Sequence, residues 1–177
     1  MSTNPAPASV SVTTGTPARS WAAFARAEPA LATAVRDRFA RHRHHVLATL
    51  RKDGSPRVSG LEVDFRDGEL WLGMMPGSLK ARDLLRDPRL AVHANPGDDE
   101  SLADGLPESG DVKISGRAVE VTDPAVLEAY AAAVAHPLPF HLFRVELTDV
   151  VRTRVEGDRL IVGRWQPGEP VVTRSRA

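Results

Sequence analysis

Cysteine is absent from this 177-residue chain, which excludes disulfides, thiolate metal sites and a cysteine nucleophile. Excess charge of either sign is missing as well. Twenty-three basic residues balance twenty-three acidic ones, so the field that would draw a nucleic-acid backbone is lacking and no nucleic-acid partner is expected. Lysine is scarce, with only Lys52, Lys80 and Lys113 among the basic residues; the arginine and alanine bias is read as compositional rather than functional. No run approaches the roughly 18 apolar residues that a membrane span needs. The first seventeen residues lack the basic start and apolar core of a secretory signal. A cytoplasmic location without a membrane partner is therefore expected.

What the chain does contain is the composition of an ordinary globular protein, 42% apolar and 26% charged, at a length that suits one domain. Residues 1–18, rich in Ser, Thr, Pro and Ala, are expected to form a disordered leader, followed by a folded domain over 19–166 and a tail over 167–177. From Ser20 the apolar spacing is helical, and Pro29 divides it into two segments. Alternation then predicts strands over 45–51, 56–66 and 70–75, with turns at Lys52-Asp53-Gly54 and Asp67-Gly68. A helix over 78–87 and a short strand over 89–94 lead into an acidic loop, 95–110, long enough to suggest a role. A strand over 112–121 precedes Asp123-Pro124, a cap followed by proline at the first helical position. Residues 142–155 and 159–165 form the last predicted hairpin. Tight turns between most strands argue for a mainly β (α+β) fold, a closed antiparallel barrel of six to seven strands with flanking helices. The absence of a Gly-x-Gly-x-x-Gly or P-loop pattern supports this over a parallel nucleotide-binding sheet.

The stretch WLGMMPGSLKARDLLRDP, residues 71–88, runs from an apolar strand through Pro76-Gly77 into a helix that opens with Ser78, Lys80 and Arg82. A helix N-terminus offers unpaired N–H groups and a positive dipole end. Ser78 and Lys80 there either complete a phosphate cradle or serve as an ordinary cap and a solvated side chain; the local sequence alone favours the latter.

Three blocks in order, His45-Val-Leu-Ala-Thr-Leu-Arg-Lys-Asp-Gly-Ser-Pro-Arg-Val-Ser59, then Asp67-Gly-Glu-Leu-Trp-Leu72, then Gly77-Ser-Leu-Lys-Ala-Arg-Asp-Leu-Leu-Arg-Asp-Pro-Arg-Leu-Ala-Val92, resemble the pyridoxamine 5'-phosphate oxidase-like superfamily. They are also similar to the flavin and deazaflavin (F420) oxidoreductases that share its split barrel. The resemblance spans about residues 35–165. It implies a homodimer with FMN or F420 at the interface and a small organic substrate. It also implies that Arg57, Val58 and Ser59 border the ring or ribityl chain, that Met74 and Met75 line its edge, and that Ser78 and Lys80 bind phosphate with Arg82 as helper. Trp165 would face the partner subunit's cofactor, against a packing role at the barrel rim.

The family's oxidases carry a second basic residue just before the helix lysine, where this chain has Leu79, and an arginine on the second strand where it has Ser59. Both departures favour F420 over FMN. Pyridoxamine phosphate oxidase-type chemistry with FMN, and non-catalytic flavin or haem binding, stand as the alternative readings. In every case the cofactor supplies the redox chemistry, so no catalytic residue is named. His42, His44 and His45 have no carboxylate at ligand spacing, and no metal site is expected. His93 and His141 are read as packed or hydrogen-bonded, with His141 kept as a minor candidate for a haem ligand.

Overall fold

The computed structural model describes residues 19–97 and 110–177; the expected leader and residues 98–109 of the acidic loop lie outside the described residues. The first elements of the described residues are helices α1 (Trp21–Ala27) and α2 (Pro29–Ala40). Ser20 caps α1 by accepting a hydrogen bond from the Ala23 amide at 3.1 Å, and Pro29 occupies the first turn of α2, where a missing N–H costs nothing. Strands β1 (His45–Leu50) and β2 (Pro56–Leu61) form a hairpin, β3 (Asp64–Arg66) and β4 (Glu69–Met74) a second one. Asp67 and Gly68 both take positive φ, 52° and 77°, the pair of conformations that a two-residue hairpin turn requires.

Next come α3 (Leu79–Arg86), β5 (Arg89–His93), β6 (Asp111–Val121), α4 (Pro124–Val134), β7 (His141–Glu156), β8 (Arg159–Trp165) and β9 (Val172–Arg176). All pairs are antiparallel, in the order β2-β1-β5-β6-β7-β4-β3, with β8 also on β7 and β9 outside β8. The sixteen-residue β7 divides the sheet. His141–Arg144 pair with β4 and Val150–Glu156 with β8, while β6 runs along the opposite edge. At the β6 bulge a Cβ on Gly116 would stand 2.6 Å from the Glu146 carbonyl, so no larger residue fits without moving the β7 backbone.

The expected class, an antiparallel split barrel with flanking helices, is the one observed. Three details differ. The sheet is not closed, because its terminal strands β2 and β3 do not pair with each other. The run 56–66 is two strands rather than one, since its first half pairs with β1 and its second with β4; the break at Glu62-Val63 carries the chain between two pairings. The expected tail contains β9, whose five residues are all exposed. Without a buried face it shows no alternation, and its pairing rests on the backbone ladder with β8.

One face of β7 supplies Phe143, Val145 and Leu147 to the main core, with Leu47, Leu70 and Leu72 of the neighbouring strands and Trp21, Phe24, Val35 and Phe39 of α1 and α2. The other face carries a smaller cluster, in which Val126 of α4 packs on Trp71 and Leu142. Asp123 caps α4 through the Ala125 amide, as its sequence implied.

Candidate functional site: a cleft where the sheet divides

Segment 71–88 folds as read, with β4 ending at Met74, a turn at Gly77 (φ 69°) and α3 beginning after Ser78. Ser78 is the N-cap by backbone, φ −60° and ψ 147°, yet its side chain makes no capping bond. Its Oγ is buried without a hydrogen-bond partner. An unsatisfied buried hydroxyl costs about 1–3 kcal/mol, so this atom is unusual for a group whose only task is capping. Two residues on, the Lys80 ammonium donates to the Gly60 carbonyl at 2.6 Å, and burial pulls its pKa below the usual lysine range. Among the described residues no carboxylate stands within ion-pair distance of it. Arg82 is exposed with its guanidinium beside the turn, 3.7 Å from the place a Cβ on Gly77 would take.

Lys80, Met74 and Met75 line a cleft of about 570 Å³. Gly60 and Gly73 also line it, and a Cβ on either would meet nothing within 4 Å. Bare backbone thus faces open space on both. The same cleft is lined by Tyr130, His136 and Phe140, with Glu62, Asp64 and Arg66 from the β2–β3 crossing. Tyr130 is pushed up to about 12, first by burial and then by the charge of Asp64, so the phenol stays protonated at neutral pH.

Not all the residues expected at the site meet there. Residues of a strand alternate between faces. Val58 points outward and is 69% exposed, whereas Arg57 and Ser59 register with Thr49 and Leu47 on the inner face. Arg57 is occupied there: its Nε lies 2.6 Å from Asp83 Oδ2 on α3. Trp165 is 2% exposed in the main core and packs on Phe24 at 4.6 Å between ring centroids. The structure places it in a packing role and leaves little surface for a cofactor. Met74 is also mostly core, while Met75 is exposed at the rim.

Sequence reading missed Asp83. It is 3% exposed and accepts bonds from Arg57, from Thr49 at 2.9 Å and from Arg86 at 3.0 Å. Burial alone would raise its pKa, but the bonds from Arg57, Arg86 and Thr49 outweigh it and hold the carboxyl below its usual range. Arg86 also donates to the Leu50 carbonyl. This network bolts α3 to β1 and β2 and so fixes the position of Ser78 and Lys80.

The histidines take local roles. His45 is buried, accepts from the Asn95 amide at 3.2 Å and is lowered to about 4, first by burial and then by His42 and His44. His93 stands 3.0 Å from Asp111, and His141 2.9 Å from Glu120. No metal-holding group of three or more His, Cys, Asp or Glu occurs among the described residues.

An antiparallel sheet divided along one long strand, with a glycine-floored cleft at the division, defines a split β-barrel. Residues 31–153 match the family model of pyridoxamine 5'-phosphate oxidase, and the chain belongs to that family. Among solved structures it is similar to a pyridoxamine 5'-phosphate oxidase-related, FMN binding protein from Nostoc punctiforme, at 13% identity and TM-score 0.59, covering 84% of this chain and 95% of that one. It also resembles PhzG from Burkholderia lata, solved with tetrahydrophenazine-1-carboxylic acid (19% identity, TM-score 0.55, 86% and 91% covered). A heme binding protein from Mycobacterium smegmatis is a third (21%, 0.55, 76% and 58%). At these identities the likeness is one of fold. No curated protein matches the chain.

Proposed function

We propose that the protein is a flavin- or deazaflavin-dependent oxidoreductase, acting as a homodimer and transferring hydride between its cofactor and a small organic substrate. The observation that carries this reading is the unpartnered buried Ser78 Oγ beside Lys80, at the head of a helix in a chain of this family. A hydroxyl, an ammonium and free helix N–H groups form a donor set suited to a phosphate. Gly60 and Gly73 let a flat ring approach the backbone.

When bound, FMN or F420 supplies the hydride chemistry. The chain's own residues bind and orient it. Lys80 carries the positive charge, Ser78 donates through Oγ, Met75 covers an edge, and α3, held by Asp83, fixes the first two in place. Arg82, exposed beside the turn, is a helper at the rim rather than a buried charge. Because Arg57 is engaged by Asp83, the buried cation available to a phosphate is Lys80. One ammonium suits a singly charged phosphodiester, as in F420, better than a monoester carrying about −1.5 to −2 charges. F420 is therefore preferred over FMN, and the pyridoxamine phosphate oxidase reaction is the less favoured alternative.

Titration of the purified protein with FMN and with F420, followed by absorbance and fluorescence, tests the proposal. F420 is expected to bind more tightly and to be reduced or reoxidised by an added donor or acceptor. Failure to bind either compound would overturn it.

A further inference from the structure

The α4 side of the cleft has a chemistry of its own. Tyr130, Phe140 and His136 form an aromatic row there, with centroid spacings of 6.0 Å for Tyr130–Phe140 and 5.4 Å for His136–Phe140. Trp71 backs Tyr130 at 5.8 Å, and the Trp71 indole is itself tied to the Arg66 carbonyl at 3.1 Å. Helix α4, PAVLEAYAAAV, contributes no lysine or arginine. The two arginines that line the cleft are charge-matched: Arg66 Nε lies 2.9 Å from Asp64 and Arg43 Nε 2.9 Å from Glu62. The wall thus offers large flat surfaces, and among the described residues its arginines are already paired with carboxylates.

We infer that this aromatic wall of the cleft binds a flat, uncharged aromatic or heteroaromatic substrate, and that α4 sets this preference by supplying ring surface where a phosphate- or carboxylate-bearing substrate would need a base. The inference rests on the reading of the cleft as a cofactor site, with Lys80 engaged by the cofactor. Tyr130, protonated at neutral pH and engaged with Asp64, adds a polar edge without adding charge. Ring-on-ring contact is worth about 0.5–1.5 kcal/mol beyond area burial. With Arg66 and Arg43 already paired to Asp64 and Glu62, an anionic group there loses hydration without gaining an arginine partner.

The probes are 2-naphthol and 2-naphthyl phosphate, which share a ring system and differ in charge at pH 7.5. Their affinities are measured by calorimetry on the full chain, with and without saturating cofactor. The neutral ring is expected to bind about tenfold more tightly, equivalent to about 1.4 kcal/mol. Phe140→Ala should reduce that binding, and Val134→Arg, one helical turn from Tyr130 on the cleft wall, should reverse the preference. Equal or stronger binding of the phosphate by the native chain in the presence of cofactor would overturn the inference, as would a preference indifferent to both substitutions. Cofactor absorbance recorded in the same samples separates the two failures: a cofactor that binds while the ring preference is absent sinks the substrate assignment alone, and no cofactor binding sinks the reading beneath it.

Discussion

Ser78 and Lys80 differ from ordinary cap residues in what they leave undone. A serine N-cap normally satisfies an amide of its own helix; here the hydroxyl is buried and idle. Lys80, half-buried, reaches a carbonyl rather than a carboxylate. Lys80→Ala is expected to weaken cofactor binding by about 1.5–3 kcal/mol, the scale of a hydrogen bond to a charged group, with thermal stability near that of the native chain. Equilibrium titration checks the first and calorimetry the second. Unchanged affinity would remove Lys80 as the anchor. His45 makes a second prediction at this scale. Its folded pKa, about 4, lies below the ordinary histidine value of 6.5, so the unfolded chain binds more protons between those values and stability must rise with pH across that window. The whole effect is at most about 3 kcal/mol. Unfolding measured from pH 4 to 7 should show this slope, and His45→Asn, which keeps an acceptor for the Asn95 amide, should flatten it.

At the scale of elements, α3 matters less for its own stability than for the buried carboxylate by which it is held. Asp83→Ala leaves Arg57 without its partner in a half-buried place and frees Thr49 and Arg86. The expected loss is about 3 kcal/mol, the lower end for breaking a buried pair, because both arginines retain some solvent contact. Denaturant unfolding measures it. Cofactor affinity should fall with it although Lys80 and Ser78 remain; an affinity unaltered by the substitution would show that the cradle does not depend on this bolt. The contrast with what the sequence made legible is physical. Helix α3 and its Ser78 cap are local features, written in the turn Pro76-Gly77 and the apolar spacing after it, and they were readable. The Asp83 network joins residues 26 and 34 positions apart, and an aspartate within a charged helix has no local mark of burial. The same holds for the break in the run 56–66. Its alternation continues across Glu62-Val63, and only the choice of partner strand splits it. The outer strand β9 was illegible because pairing through backbone alone leaves no pattern in side chains.

For the whole molecule, the open sheet and the exposed apolar residues lead to one expectation. Val58 and Met75 are each 69% exposed, Leu79 55% and Val46 40%. Val46 and Val58 share the outward face of the β1–β2 hairpin, where Val46 registers with Gly60 and Val58 with Ala48. Gly60 and Met75 belong to the cleft wall, so this apolar surface runs up to the rim of the proposed cofactor site. Residues of this kind scattered singly need no explanation, but a group beside a binding cleft marks a contact surface. A second copy of the chain laid there would cover the open side of the cleft and exclude water from the ring. In the proposed dimer, Val58→Glu introduces a charge into that contact without disturbing the core, since the side chain points away from it. The native chain is expected to sediment as a dimer, and the variant to shift toward monomer at micromolar concentration while keeping its thermal stability. Cofactor binding should weaken in step with dissociation and recover as protein concentration rises. A native chain that sediments as a monomer, or a monomeric variant that binds cofactor as tightly as the native protein, would show that one copy of the cleft is sufficient.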